Sequence, residues 1–300
     1  MSICSSWSRL LLIESLARLL TGWEFWCNQR PQIRHYQLEF AVRCPVRLLY
    51  ISDLHLSPWN ASAKCVSQML QLVEQTRPDY LLLGGDLLDL GLSLHLLSFL
   101  VQESSRICPV LVISGNHDRW LLHGSKLFEA VNQAGGSWLG EPYLTPQGLS
   151  LISELWLWGN SNQALPANTL LVAHNPSVFP LSVKCSVPLT LAGHLHGCQV
   201  IAWERSEGSL QRERSWLPWL HPRPLGRYCY PGAWFFTYNG WHFQAEGPQS
   251  RNCHMIVSAG INDPLPIRFG CPRDVLLIEL KPDGSAVEHI EVAEPPQPSC

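Results

Sequence analysis

The sequence predicts an α/β fold built around a sheet with parallel strands. From residue 47 onward, short apolar runs alternate with segments whose apolar residues recur at helical spacing. This alternation is typical of strand–helix–strand units, whose strands run parallel. The composition agrees, because 46% hydrophobic and 15% charged residues in a chain of 300 supply a sizeable core and exclude a disordered chain.

The individual elements follow from the same two patterns. Helices are predicted over 61–76, 93–103 and 125–134, where apolar residues such as Val66 and Met69 recur at the spacing of one helix face. Strands are predicted at eight apolar runs: RLLYIS (47–52), YLLLGG (80–85), PVLVIS (109–114), LWLW (155–158), TLLVA (169–173), PLTLA (188–192), MIVSAG (255–260) and DVLLIEL (274–280).

The simplest partition of the chain is one domain over 45–290, an N-terminal helix with its lead-in over 1–44, and a loose Pro-rich tail over 291–300. Residues 203–250 are rich in Trp, Arg, Pro and Gly without a period, which predicts a long loop with short strands. The arginines of this segment are candidate partners for an anion, the alternative being a solvated loop: Arg205, Arg212, Arg214, Arg223 and Arg227.

Residues 7–26 have the pattern of an amphipathic helix that ends in tryptophans. Glu14 and Arg18 lie opposite the apolar face, and the charges interrupt the run too often for a membrane span or a secretory signal. Such a helix either packs on the protein's own core or lies on a membrane surface, and its tryptophans favour the membrane. The apolar face is formed by Leu12, Leu16, Leu19, Leu20, Trp23 and Trp26.

The charge balance and the cysteines exclude other classes. With 21 Lys and Arg against 24 Asp and Glu, the chain lacks the basic excess of a nucleic-acid-binding protein, and no nucleic-acid partner is expected. The 11 cysteines are odd in number and form no CxxC pair, which favours reduced thiols and a cytoplasmic protein. The sequence carries no signal for an oligomeric state.

Metal-capable side chains directly follow five of the predicted strands: Asp53 and His55; Asp86 with Asp89; Asn116, His117 and Asp118; His174; and His194 with His196. Each group alone has an ordinary explanation as an exposed loop, a turn, a helix cap or a buried imidazole. All five together point to one site, because the carboxyl ends of strands form the ligand crevice of open α/β sheets.

The donor types indicate which ions the site takes. Two Asp, one Asn and four His form a nitrogen and oxygen set without thiolate, which suits divalent ions such as Mn, Fe or Zn. Seven ligands are too many for one ion with an open position. They suit two divalent ions about 3.5–4 Å apart that share a bridging carboxylate.

The order D-x-H, G-D-x-x-D, G-N-H-D, H and G-H-x-H resembles the calcineurin-like metallophosphoesterase family over residues 47 to about 201. The resemblance implies a four-layer α/β/β/α sandwich with a dimetal site at the edge of two facing sheets. It further implies metal ligands at seven positions, with Asp53, His55 and His196 on the first ion, Asn116, His174 and His194 on the second, and Asp86 bridging both.

The resemblance also implies the chemistry. A metal-bridging hydroxide would attack a phosphoester or pyrophosphate without a covalent enzyme intermediate. His117 would protonate the leaving-group oxygen or stabilise its charge, Asp118 would orient His117, and Asp89 would support the ligands from outside.

Two segments resemble a bacterial subgroup of peripheral membrane enzymes that includes UDP-2,3-diacylglucosamine pyrophosphatases of lipid A biosynthesis. GHLHGCQ (193–199) departs from the subgroup's G-H-T-H-G-G-Q at Leu195 and Cys198, neither of which is a ligand, and a late segment runs from Ser258 to Arg268. This resemblance implies a lipid-linked substrate at the inner face of the plasma membrane.

Two alternatives remain open at this point. The same fold also serves phosphodiesterases and phosphatases that act on soluble nucleotides or phosphoproteins. A scaffold without activity is the third hypothesis, which the complete set of ligands and the presence of His117 disfavour.

Overall fold

The computed structural model describes residues 30–58, 62–89, 93–120, 124–196, 242–263 and 272–282, together with short strand segments at 23–25, 203–205, 213–215, 267–269 and 290–293.

The strands of this part of the chain are, in order, β1 (Trp23–Phe25), β2 (Gln32–Phe40), β3 (Val46–Ile51), β4 (Tyr80–Gly84), β5 (Val110–Ile113), β6 (Ser137–Trp138), β7 (Tyr143–Leu144), β8 (Ser150–Ser153), β9 (Thr169–Val172), β10 (Leu189–Ala192), β11 (Trp203–Arg205), β12 (Glu213–Ser215), β13 (His242–Glu246), β14 (Asn252–Val257), β15 (Ile267–Phe269), β16 (Asp274–Pro282) and β17 (Ile290–Ala293). The helices are α1 (Ser62–Thr76), α2 (Leu94–Ser105), α3 (Asn116–Trp120), α4 (Gly124–Gln133), α5 (Glu154–Gly159) and α6 (Phe179–Lys184).

A seven-stranded sheet has the order β17-β2-β16-β3-β4-β5-β6. Strands β3, β4, β5 and β6 are parallel to one another, as the strand–helix alternation predicts, whereas β16 lies antiparallel to β3. Strands β2 and β17 extend this sheet to residues on both sides of the predicted domain range 45–290. Residues 291–293 of the predicted loose tail therefore form part of a strand.

A second, six-stranded sheet has the order β13-β14-β10-β9-β8-β7. Its four central strands, β14, β10, β9 and β8, are parallel, and both edge strands are antiparallel to their neighbours. The described residues thus contain two large sheets whose central strands are joined by crossovers, besides the two-stranded pairs β1–β15 and β11–β12. The ends of the parallel strands in each sheet form one edge, and this edge carries the candidate site.

Successive side chains of each strand point to opposite faces of its sheet, and this produces three apolar layers. In β3, Leu49 and Ile51 pack against α1, α2 and α4 on the outer face of the large sheet. Leu48 and Tyr50 point the other way and pack against the second sheet. The far face of the second sheet packs on α5 and α6. These layers confirm the predicted four-layer α/β/β/α arrangement, and burial on both faces explains the uninterrupted apolar runs.

The strand predicted at LWLW (155–158) is wrong, because these residues belong to helix α5. Strand β8 ends immediately before it, and the Ser153 hydroxyl accepts a hydrogen bond from the Trp156 backbone N–H at 3.3 Å, which caps the helix. Leu157 is buried, whereas Leu155 and Trp158 are exposed. Four apolar residues in a row therefore bury one face of a helical turn, not two faces of a strand.

The predicted N-terminal helix falls mostly outside the described residues. Trp23–Phe25 form strand β1, which pairs antiparallel with β15, so the helix predicted over 7–26 does not extend through Trp23. Within 203–241, β11 and β12 pair as an antiparallel ribbon, and the side chains of this segment lie outside the described part. No helix in the described residues is long and apolar enough to span a bilayer.

Candidate dimetal site

The side chains predicted as ligands lie beyond the carboxyl ends of strands in both sheets. Asp53 and His55 follow β3, and Asp86 follows β4. Asn116 opens α3 directly after β5. His174 follows β9, and the pair His194 and His196 follows β10. Because the two sheets face each other, the loops after these five strands converge on one edge of the sandwich.

One group of donors consists of Asp53, His55 and His196, whose ligand atoms lie within 4.8 Å of one another. The two Nε2 atoms of His55 and His196 are 3.2 Å apart. Asp53 Oδ1 lies 3.6 Å from His196 Nε2 and 4.0 Å from His55 Nε2. Asp53 and His55 are fully buried. These three residues are the ones that the resemblance assigns to the first ion.

The second group surrounds His174 Nε2. It lies 3.2 Å from Asp86 Oδ2, 3.0 Å from His194 Nδ1 and 3.1 Å from Asn116 Oδ1. Asp86 Oδ2 is also 3.7 Å from His55 Nε2, so Asp86 lies between the two groups. The structure thus brings all seven predicted side chains together. Their positions match the predicted division into two groups of three ligands with Asp86 between them. Metal binding by these side chains stays a prediction.

The outward-facing nitrogens of three imidazoles indicate which tautomer each ring adopts. Nδ1 of His174 lies 3.0 Å from the Gly84 carbonyl, and Nδ1 of His196 lies 2.8 Å from Asp263 Oδ1. Nδ1 of His55 lies 2.5 Å from Asp89 Oδ1. A ring that donates its Nδ1 proton to an oxygen directs its Nε2 lone pair to the opposite side. The donor set of carboxylate, amide and imidazole therefore fits divalent metal ions.

The backbone at the site is strained. Of the eight non-glycine residues with positive φ in the described part of the chain, five are predicted ligands: Asp53 (55°), His55 (40°), Asp86 (50°), His194 (70°) and His196 (49°). Such conformations cost about 1–3 kcal/mol each and persist where the surrounding structure imposes them. A Cβ on Gly193 would lie 2.5 Å from Asp53 Oδ2, so only glycine fits this approach.

The electrostatics of the site favour positive charge at His174 and disfavour it at His194. Burial opposes ionisation of Asp86, yet the hydrogen bond and charge of His174 hold its pKa below the usual range. Burial likewise disfavours the charged form of His174, but Asp86 and Asp53 raise its pKa to about 9. Burial and the neighbouring His174 lower the pKa of His194 to about 4. Metal ions and protons therefore compete for the same nitrogens.

His117 lies at the more open side of the site. Its side chain is 29% exposed, its Nδ1 is 3.1 Å from Asp89 Oδ1, and its ring meets that of His55 edge-on with centroids 4.7 Å apart. The hydrogen bond to Asp89 raises the pKa of His117, although burial opposes this. A partly exposed imidazole beside the ligands, with a carboxylate that favours its protonated form, is suited to give a proton to a substrate oxygen.

The predicted role of Asp118 is wrong, because its carboxylate does not contact His117. It accepts backbone N–H bonds from Leu87 at 3.0 Å, Leu88 at 3.2 Å and Gly115 at 2.9 Å. Asp118 thus joins the loop after β4 to the loop after β5. The residue that orients His117 is Asp89, which lies far from it in the sequence and touches both His55 and His117.

A buried pair behind His196 is not among the residues predicted from the sequence. Asp263 accepts bonds from Arg268 Nε at 2.5 Å and Nη2 at 2.8 Å, and both side chains are almost fully buried. Burial opposes ionisation of Asp263, but Arg268 and His196 lower its pKa below the usual range. Both residues lie in the late Ser258–Arg268 segment, whose match to the subgroup was the signal available in the sequence.

Glu154 was also missed, because residues 155–158 were predicted as a strand. Its Oε2 accepts the backbone N–H groups of His174 and Asn175, each at 3.1 Å. Its Oε1 accepts Nη2 of Arg119 at 2.8 Å. The Arg119–Glu154 pair therefore connects helix α3, which carries Asn116, to the loop that carries His174.

Comparison with known proteins agrees with this site. Residues 46–246 match the family model for calcineurin-like phosphoesterases, and the chain belongs to this family. The family consists of metal-dependent phosphoester hydrolases with a dinuclear divalent metal centre, the class of enzyme that the motifs predict.

Individual proteins with similar sequences or structures share less than 30% of their residues with this chain. Phosphodiesterase YaeI of Escherichia coli (strain K12) is 29% identical over 171 residues, which are 52% of this chain and 62% of that protein. Among solved structures, the protein TT1561 of Thermus thermophilus is 11% identical, with 49% of this chain and 81% of the other covered, at a TM-score of 0.38. Pseudomonas putida nuclease MPE is 17% identical, with 51% and 62% covered, at a TM-score of 0.32.

Proposed function

We propose that the protein is a dimetal phosphohydrolase that cleaves a phosphodiester or pyrophosphate of a lipid-linked substrate such as UDP-2,3-diacylglucosamine. One observation carries the proposal: seven ligand-type side chains form two groups that share Asp86, with His117 beside them. The similarity to a phosphodiesterase supports a diester or anhydride over a monoester.

In this proposal, Asp53, His55 and His196 hold one divalent ion, and Asn116, His174 and His194 hold the other, with Asp86 shared. Such a pair of ions, which we expect to be Mn, Fe or Zn, lowers the pKa of water and neutralises charge on the phosphate. His117 is the acid, with Nδ1 held by Asp89 and Nε2 as the nitrogen that protonates the leaving-group oxygen. The hydrogen bond to Asp89 raises the pKa of His117, which favours the protonated form that an acid needs.

The lipid-linked substrate and the peripheral location at the inner face of the plasma membrane are supported by the sequence. The amphipathic pattern over 7–26 and the GHLHGCQ segment both resemble membrane-associated members of the family. Enzymes of soluble nucleotides or phosphoproteins need no membrane-binding segment, so membrane binding separates the two proposals.

The activity is tested with the metal-loaded full chain on bis-p-nitrophenyl phosphate and UDP-2,3-diacylglucosamine. We expect about two divalent ions per chain and hydrolysis of both compounds. Asp86→Asn should lower kcat by about 10³-fold or more, since it weakens both ion sites at once. The matched control is Asp79→Asn. Asp79 is an exposed carboxylate directly before β4, at the opposite end of this strand from Asp86, and its substitution should leave kcat unchanged. Full activity of Asp86→Asn would contradict the proposal.

Membrane association is tested by sedimentation with anionic phospholipid vesicles. The full chain should sediment with the vesicles, and a chain lacking residues 1–22 should remain in the supernatant while it still hydrolyses bis-p-nitrophenyl phosphate. Sedimentation of neither chain would favour a soluble nucleotide or phosphoprotein as the substrate, and equal sedimentation of both would overturn the role given to residues 1–22.

A further inference from the structure

A cavity of about 340 Å³ lies beside the candidate site, between the neighbouring edges of the two sheets. Its walls come from the end of β5, the start of α3, helix α4, the residues at and after β6, and the junction of β8 with α5. This volume falls within the range of roughly 300–1,000 Å³ that is typical of small-molecule sites.

Most of the cavity wall is apolar. Val112 and Leu127 form its inner part, and Phe128, Trp138 and Leu155 lie nearer the solvent. Phe128 stacks on Trp138 with ring centroids 5.6 Å apart, yet Phe128 remains 50% exposed and Leu155 55% exposed. An apolar group that covers large exposed apolar side chains removes their surface from water, which lowers the free energy.

The charged groups in the wall already have partners within the protein. Arg119 is paired with Glu154 at 2.8 Å. The Asp118 carboxylate is occupied by the backbone amides of Leu87, Leu88 and Gly115. The cavity therefore offers no unpaired charge to an ionic ligand, and its chemistry favours an uncharged, apolar one.

The cavity and the site share one short segment of chain. Ser114, Asp118 and Arg119 line the cavity, while Asn116 and His117, between them in sequence, belong to the site. Residues 114–119 thus contribute both to the ligand groups and to the cavity wall, so the site and the cavity adjoin along this segment.

From these observations we infer that the cavity binds an apolar substituent of the substrate, such as an alkyl or acyl chain, and so selects phosphoesters that carry one. This inference rests on the proposed phosphoesterase function. In this inference, the cavity wall formed by α4, β6 and α5 selects the apolar substituent of the substrate, and these elements lie outside the residues proposed to carry out the chemistry.

Gly140 is the position in the cavity wall at which the inference can be tested by substitution. It lies in the cavity wall, and a Cβ added there meets no atom within 4 Å, so Gly140→Leu puts a side chain into open space without a clash. Gly159, at the end of α5, is the matched control, because a Cβ there also meets no atom within 4 Å and Gly159 does not line the cavity.

The experiment compares n-decyl p-nitrophenyl phosphate with methyl p-nitrophenyl phosphate, which release the same chromophore. The unmodified protein should prefer the decyl ester by about tenfold or more in kcat/KM, since each buried methylene contributes to binding. Gly140→Leu should abolish this preference and leave the methyl ester within about twofold. Gly159→Leu should change neither rate.

Titration calorimetry with n-decylphosphonate and methylphosphonate separates failure of this inference from failure of the proposed function. If neither ester is hydrolysed, the proposed function fails. Tighter binding of n-decylphosphonate than of methylphosphonate, lost in Gly140→Leu, would still support binding of an apolar substituent in the cavity. Equal effects of Gly140→Leu on decyl and methyl compounds, or no effect on either, would overturn the inference.

Discussion

Asp89 connects the two kinds of residue that the proposed reaction needs. Its Oδ1 lies 2.5 Å from Nδ1 of His55, a predicted ligand, and 3.1 Å from Nδ1 of His117, the proposed acid. These contacts lower the pKa of Asp89 to about 2 against the effect of burial, so the carboxylate stays ionised at neutral pH. One side chain thus sets the tautomer of a ligand and the proton affinity of the acid.

Asp89→Asn should remove the charge that raises the pKa of His117. The acid then loses its proton at a lower pH, and kcat for a dialkyl phosphate should fall by about 10²-fold or more at neutral pH. The loss should be smaller for p-nitrophenyl esters, because p-nitrophenolate leaves without a proton. Rates on both esters across pH 5–9, with metal content measured alongside, check this outcome.

Asp118→Asn is the informative comparison for Asp89→Asn. Asp118 joins two loops through backbone amides, so its loss should lower stability and affect both esters equally. A leaving-group dependence in Asp118→Asn, and none in Asp89→Asn, would restore the role that the sequence analysis gave to Asp118.

At the scale of elements, the Arg119–Glu154 pair ties the start of α5 to α3 and to the loop after β9. Glu154 is 7% exposed and accepts the backbone N–H groups of His174 and Asn175. A carboxylate in this position holds the loop that carries His174 without touching the ligand ring. Residues of this kind contribute to metal affinity through the orientation of the ligands.

Glu154→Leu should therefore weaken the second ion site while the first is retained. Two backbone amides and Arg119 lose their acceptor, and we expect a roughly 10–100-fold lower affinity for one of two Mn²⁺ ions. Titration calorimetry with Mn²⁺ measures both ions separately. The control is Glu103→Gln, which removes an exposed pair with Arg106 and should leave both affinities unchanged.

At the scale of the whole molecule, two buried histidines join the last strands of the second sheet. His242 Nε2 on β13 lies 3.0 Å from His254 Nδ1 on β14, and the rings stack with centroids 5.2 Å apart. Burial, and then the proximity of His254, lowers the pKa of His242 to about 4. The folded protein thus holds His242 neutral, whereas the unfolded chain protonates it near pH 6.5.

The sign of the resulting pH dependence follows from proton linkage. Between pH 6.5 and 4 the unfolded chain binds a proton that the folded protein does not, so stability falls as the pH is lowered. His242 should contribute roughly 1–3 kcal/mol of this loss. In His242→Phe the free energy of unfolding, measured in urea from pH 7 to 4, should depend less on pH, while the exposed His95→Phe should behave like the unmodified protein.

Several features of the fold could be predicted from local sequence. Leu48 to Ile51 are buried on both faces of β3, and such a run is recognisable without knowledge of its neighbours. Asp53 and His55 follow the run directly, so their place at a strand end was also predictable. LWLW was mispredicted because its burial depends on which face of α5 meets the second sheet, and a run of four apolar residues does not contain that information.

The fold class and the seven candidate ligands could be predicted from the sequence alone, because each group of metal-capable residues directly follows an apolar run that is recognisable locally. Tertiary structure decided which side chains meet. Asp89 reaches His117, Asp263 reaches His196, and Glu154 holds the His174 loop. These contacts join residues on different elements, and no local pattern encodes the relative position of two elements, which is set by how the sheets and helices pack.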